Sequence, residues 1–246
     1  MSLVHYVVIS DSSMLIDSME YIASFDIDAQ KCFSPLCPNE LPVPGGNEIV
    51  RELNRQAALA GLRIGSKDAH PRGAVWEATD QSPQMTPVSG HVNADYHWNR
   101  HGVPGTVGFE LLEGLPDVME YDYFVWKGVE PTVHPYGACY HDLTEMRSTG
   151  VIEFLCSRGI RTVIVGGLAL DFCVKTTVLQ LLSAGFGVVV NLGACRSLDS
   201  ISHRSAVDIM KCAGAQFVDS VSGIQQIKNN EVDKNDDICT VSGLRG

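Results

Sequence analysis

Four groups stand out by residue type and spacing as able to do chemistry. Asp68-Ala-His70-Pro71 sets a carboxylate and an imidazole two residues apart. In an extended segment side chains alternate with period two, so both project to the same side and can enter one cavity. Carboxylate plus imidazole suits a borderline divalent ion such as Zn²⁺, Mn²⁺ or Fe²⁺. A third ligand is then required; His101 follows downstream, with His97 and His91 nearby. The other reading is an Asp–His surface pair in a loop. The second group is Gly166-Gly-Leu-Ala-Leu-Asp-Phe-Cys173, where an apolar strand pattern ends in two glycines and a helical pattern starts at Cys173. Unpaired N–H groups at a helix start lower a thiol pKa and can bind an oxyanion. Equally, Cys173 reads as a small buried hydrophobe. Asp28, after the first strand pattern, is either a loop cap or a base for the thiol. Lys127 is the only lysine between Lys67 and Lys175 and follows the aromatic run Tyr123–Trp126. It either snorkels to solvent or supplies positive charge that favours a thiolate.

The elements that must position these groups alternate between two periodicities. Strand patterns cover Ser24–Asp28, Leu62–Gly65, Tyr123–Trp126, Thr162–Val165, Phe186–Val190 and Gln216–Val218. Helical patterns cover Asn47–Leu62, Ile152–Ser157, Phe172–Ala184 and Ile201–Ala213, with Gly185 and Gly214 as stops. Alternation of this kind means right-handed βαβ crossovers and a parallel sheet covered on both faces. The expected fold is therefore α/β, doubly wound. Ligands in such sheets bind beyond the carboxyl ends of the strands. Asp28, Asp68, Lys127 and the Gly166–Cys173 turn all fall there.

The composition is that of an ordinary globular chain. Of 246 residues 45% are hydrophobic and 19% charged, which excludes a dominantly disordered, collagen-like or coiled-coil protein. The length suits one domain with a large core. The net charge of −11, with Lys and Arg scattered singly, argues against a nucleic-acid partner. No run reaches the roughly 20 apolar residues that span a bilayer. The apolar stretch Leu3–Ser10 lacks a basic leader, and the eight cysteines show no paired spacing. A reduced, cytoplasmic location is the expectation.

Taken in order, Asp28-Ala-Gln30-Lys-Cys-Phe33, Val43-Pro-Gly-Gly-Asn, Asp68-Ala-His70-Pro71, Trp98-Asn-Arg-His101-Gly-Val-Pro-Gly105-Thr106, Lys127-Gly128 and Gly166-Gly-Leu-Ala169-Leu-Asp171-Phe-Cys173-Val174 resemble the nicotinamidase/pyrazinamidase group of the isochorismatase-like hydrolases. The resemblance runs from about Ser24 to Val218. It implies a three-layer sandwich on a mostly parallel six-stranded sheet. The domain expected is single, 1–246, with an N-terminal extension over 1–20 and a tail over 225–246 that includes the acidic stretch Lys228–Asp237. The resemblance implies an Asp28–Lys127–Cys173 triad and an oxyanion hole from the Ala169 and Cys173 N–H groups. It further implies a cis peptide at Leu168–Ala169, ring-sandwiching walls at Phe33 and Trp98, and one divalent metal, zinc before iron or manganese, on Asp68, His70 and His101. The implied activity is hydrolysis of nicotinamide, and of pyrazinamide, to the acid and ammonia through a cysteine thioester, in NAD salvage. The alternative is an amidohydrolase of the same fold acting on a carbamoyl or ureido amide. A homo-oligomer is also expected.

The sequence departs from the group's pattern at two points. Ala74 stands where many members carry a second histidine, so water or Glu77 is expected to complete the metal's coordination. Gly102 stands where a cysteine is common. The segment 74–97 matches poorly and is expected to form part of the pocket rim. His91, His97, His134 and His141 are expected not to be ligands.

Overall fold

The computed structural model describes residues 18–224. Most of the N-terminal extension, the stretch Leu3–Ser10 and the tail from 225 onward lie outside the described residues. Six strands, β1 (Ile22–Ile27), β2 (Leu62–Asp68), β3 (Tyr123–Lys127), β4 (Thr162–Leu168), β5 (Gly187–Arg196) and β6 (Gln216–Val218), form one sheet in the order β3-β2-β1-β4-β5-β6. Every neighbouring pair is parallel. The chain winds outward from β1 to β3, then returns to the centre and winds the other way from β4 to β6. The switch point falls between β1 and β4, and a crevice opens there beyond the strand ends.

Alternate residues of the central strands face opposite layers. Ala23, Phe25, Ile27, Val163, Val165, Val188 and Val190 pack with Val151 and Leu155 of α2 (Val151–Ser157), Val178 and Leu181 of α3 (Lys175–Ser183) and Ala206 and Met210 of α4 (Ser200–Cys212). The opposite face carries Ile22, Ile164 and Val189 beneath Leu59 and Ala60, with Leu53 of α1 (Val50–Ala57) buried beside Ala194 and Leu168. Helices on both faces make three layers, the fold class expected. No described helix is long and apolar enough to cross a membrane.

Strands β2 and β4 run to Asp68 and Leu168, past their sequence patterns, and three further elements differ for visible reasons. The helix expected over Asn47–Leu62 shortens to α1, because the Gly61 N–H is taken by the carbonyls of Met19 and Ile22 at the head of β1. That contact turns the chain into β2. Strand β5 runs further than expected, to Arg196, since its pairing with β4 slips between Val165 and Gly167 and extra residues bulge out. Helix α3 is preceded by a wide turn of π type over Leu170–Val174, in which the Ala169 carbonyl accepts from both Phe172 and Val174 N–H.

Candidate active site

The carboxyl ends of β1, β2, β3 and β4 carry the reactive groups. Asp28 follows β1, Asp68 closes β2, Lys127 closes β3 and Cys173 sits in the turn after β4. All four are at least 94% buried. The Lys127 ammonium is at their centre. It lies 2.9 Å from Asp28 Oδ2, donates to Asp68 Oδ1 and to the Pro135 carbonyl, and is 3.7 Å from Cys173 Sγ. The snorkelling alternative for Lys127 and the loop-cap alternative for Asp28 are thereby excluded. Asp28 Oδ1 accepts from Ser66 Oγ at 2.7 Å, and Asp28 takes a left-handed backbone, φ 46°, a conformation Asp tolerates better than most residues. Ligating atoms of Asp28, Asp68 and Cys173 all lie within 4.8 Å of one another. The Leu168–Ala169 peptide is cis.

Burial sets the protonation states. It pushes the Asp28 carboxyl up to about 6, against the pull of Lys127. The Cys173 thiol is driven well above its ordinary range by burial, with Lys127 opposing and the carboxylates adding to the rise. Burial acts to strip Lys127 of its proton, but Asp28 and Asp68 outweigh it and hold the ammonium charged. The expectation that a helix start lowers the Cys173 pKa is therefore corrected: Cys173 lies inside a buried wide turn, and desolvation dominates. At neutral pH the set holds a thiol, an ionised Asp28 and a protonated Lys127, so a base sits ready beside a proton it can take.

A nitrogen-rich cluster adjoins Asp68. His70 Nε2 is 3.4 Å from Asp68 Oδ1, and His101 Nε2 is 3.6 Å from Asp68 Oδ2. His70 Nδ1 meets the Gly128 carbonyl at 3.1 Å, and His101 Nδ1 meets the Asn99 carbonyl at 2.6 Å. A ring nitrogen facing a carbonyl must carry the proton, which leaves the Nε2 lone pair of each ring toward the cluster. Carbonyl support of this kind orients ligating histidines. Burial lowers the His70 pKa despite Asp68, so the ring is neutral and able to ligate. His70 Nε2 has no hydrogen-bond partner among the described residues. Neutral imidazole lone pairs beside an ionised carboxylate fit a divalent cation. Gln30, just beyond β1, locks this arrangement, donating from Nε2 to the Asp68 carbonyl and accepting the Asp68 N–H at Oε1.

The surroundings of the cluster bear on two of the ligand expectations. Glu77 is held by Arg100, at 3.0 and 2.6 Å, and by the Gly73 N–H, so its carboxylate is committed away from the cluster. His134, expected not to be a ligand, lies beside His70 and His101, with ligating atoms of all three within 4.8 Å of one another. Burial, with the two histidines adding to it, pushes the His134 pKa well down, so this ring is neutral too. No spacing rule ties it to the motif at 68–70, because it arrives on a separate loop.

Between thiol and histidines lies a narrow cavity lined mostly by apolar groups, with Phe33, Trp98, Ala169 and Cys173 among them. Trp98 is fixed by its Nε1 donation to Tyr136 Oη at 3.1 Å, and Tyr136 donates to Asp95 at 2.7 Å. Tyr136 also lines the cavity, a position nothing in the local sequence pattern announced. No residue of the segment 74–97, expected to form part of the rim, lines the cavity itself. Its Trp76 packs behind His70, ring centroids 4.6 Å apart, and Leu41, Val43 and Leu198 line the cavity in its place.

This sheet, with a buried acid–lysine–thiol set at its switch point, is matched by the isochorismatase domain family model over residues 27–222. The chain belongs to that family. The nicotinamidase of Acinetobacter baylyi is 28% identical over 199 residues, covering 79% of this chain and 90% of the relative. The nicotinamidase of Escherichia coli is 31% identical over 180 residues, covering 71% and 84%. Among solved structures, the pyrazinamidase of Pyrococcus horikoshii in complex with zinc superposes with a TM-score of 0.64 at 26% identity, covering 80% of this chain and 98% of that one.

Proposed function

We propose that this protein is a nicotinamidase, releasing ammonia from nicotinamide, and from pyrazinamide, through a thioester on Cys173. The observation that carries the reading is a cavity lined by a thiol, Cys173, that is backed by the buried Lys127 ammonium and its partner Asp28, and by Asp68 and His101 of a carboxylate–imidazole donor set. The nicotinamidases among the relatives support it, and the zinc complex of the Pyrococcus horikoshii protein supports a divalent ion, zinc by preference, on Asp68, His70 and His101. Such an ion supplies a Lewis acid for a heteroaromatic ring nitrogen. A carbamoyl or ureido substrate offers no such atom.

Asp28 takes the Cys173 proton as the thiolate attacks the carboxamide carbon. Lys127 keeps the local charge balanced while negative charge shifts from carboxylate to sulfur. The Ala169 and Cys173 N–H groups receive the oxyanion, where one such donor contributes roughly 3 kcal/mol to lowering the barrier. Asp28 then protonates the leaving amine, ammonia departs, and Asp28 deprotonates the water that cleaves the thioester. The acid product leaves and the thiol is restored. Phe33 and Trp98 hold the ring flat so that its carboxamide meets the sulfur. Cytoplasmic location and a homo-oligomer belong to the same reading; light scattering at micromolar concentration tests the second. The deciding assay is ammonia release from nicotinamide with and without a chelator. Release from N-carbamoyl amides but not from nicotinamide would overturn the assignment.

A further inference from the structure

We infer that His134 is a fourth protein ligand of the metal centre, delivered by the loop between β3 and α2. The inference rests on the proposed ion at Asp68, His70 and His101 and adds a residue to its ligand set. His134 is 4% exposed, and neither of its ring nitrogens has a hydrogen-bond partner among the described residues. Leaving both polar atoms of a buried imidazole unsatisfied is costly and calls for an explanation. A cation beside the ring supplies one.

The placement is built. The His134 ring lies nearly parallel to His70, centroids 5.0 Å apart at 19°, and nearly parallel to Trp98, 5.9 Å apart at 15°. Trp76 closes edge-on at 4.4 Å. The backbone is pinned on both sides of the ring: the His134 N–H donates to the Asn93 carbonyl at 2.7 Å, the Val133 carbonyl accepts from Trp76 Nε1 at 3.0 Å, and the Pro135 carbonyl accepts from Lys127. Ligating nitrogens of His70, His101 and His134 lie within 4.8 Å of one another. Nitrogens held 2.0–2.1 Å from a tetrahedral zinc ion are about 3.4 Å from one another, so side-chain rotations that draw each ring nitrogen inward by about 1 Å bring all three onto one ion. His70 and His101 have committed Nδ1 to carbonyls, whereas His134 has both nitrogens available. The three histidines meet one another, Asp68 meets the cluster through His70 and His101, and Glu77 is held by Arg100.

The test uses full-length protein stripped of metal and reloaded with Co²⁺ or Zn²⁺. His134→Phe keeps an aromatic ring for the stacking but removes both donors, His134→Gln keeps polarity, and His91→Ala at an exposed site serves as the control. Affinity is read by competition with a chromophoric chelator, ligand field by the Co²⁺ visible spectrum, and folding by circular dichroism of the stripped proteins. Wild type and His91→Ala are expected to bind one ion per chain with the same spectrum. His134→Phe and His134→Gln are expected to lose at least tenfold in affinity and to show an altered Co²⁺ band. Unchanged affinity and spectrum in His134→Phe, with a change confined to KM for nicotinamide, would overturn the inference and make His134 a substrate-wall residue while leaving the metal reading intact. A wild-type protein that takes up no ion would overturn both.

Discussion

Gly128→Ala isolates the link between backbone geometry and the histidine cluster. Gly128 has φ +71°, and a Cβ built on it falls 2.3 Å from His70 Cε1 and 2.4 Å from Nδ1. Ordinary contact begins near 3.4 Å, so the ring must retreat by about 1 Å. That retreat breaks the hydrogen bond between His70 Nδ1 and the Gly128 carbonyl. Two costs follow. A left-handed conformation with a Cβ costs about 1–2 kcal/mol, and losing a buried hydrogen bond costs about 1–3 kcal/mol. Destabilisation of about 2–5 kcal/mol is expected in urea unfolding of the stripped protein. Metal affinity should fall by about 10–100-fold, the usual consequence of removing an orienting partner from a ligating histidine. Gly105→Ala is the matched control, because Gly105 is also left-handed, φ +83°, but nothing lies within 4 Å of its added Cβ. It should show the strain and keep the affinity. If the two variants lose the same affinity, or Gly128→Ala loses none, the argument that Gly128 seats His70 for metal binding is wrong.

Cys173→Ala should abolish ammonia release and leave the melting curve of a folded protein; mass spectrometry with a slow amide should find the acyl group on Cys173, and acylation at Cys156 or Cys195 would contradict the mechanism. Asp28 works ionised, and burial has raised its carboxyl to about 6. kcat/KM should therefore fall about tenfold per unit as pH drops below 6, and a rate flat down to pH 4.5 would exclude Asp28 as the base. The stability sign is the opposite: a carboxyl raised on folding favours the native state below its unfolded value near 4, and that contribution is lost as pH rises through 6. Lys127→Ala leaves Asp28 and Asp68 buried without their cation and should cost about 3–5 kcal/mol; in protein that remains folded, iodoacetamide labelling of Cys173 should move to higher pH, and an unmoved profile would remove Lys127 from the mechanism.

The sequence by itself determined what depends on neighbours along the chain. Alternating strand and helix periodicity dictates a parallel, doubly wound sheet, because only crossover connections join strands of one direction. That topology sends strand ends to one rim, so Asp28, Asp68, Lys127 and Cys173 could be placed together before any distance was known. Their order along the chain carried the family resemblance. Tertiary structure decided what depends on partners far apart in sequence. Gly61 ends α1 early because the head of β1 captures its N–H. Desolvation inside the closed crevice, and not the local turn, sets Cys173 as a thiol and lifts Asp28. Arg100 removes Glu77 from the ligand set. Packing against Trp76 and Trp98 and backbone hydrogen bonds to Asn93, Trp76 and Lys127 bring His134 to His70 and His101, and residues 71–133 of intervening chain leave no fixed spacing from which that meeting could be read.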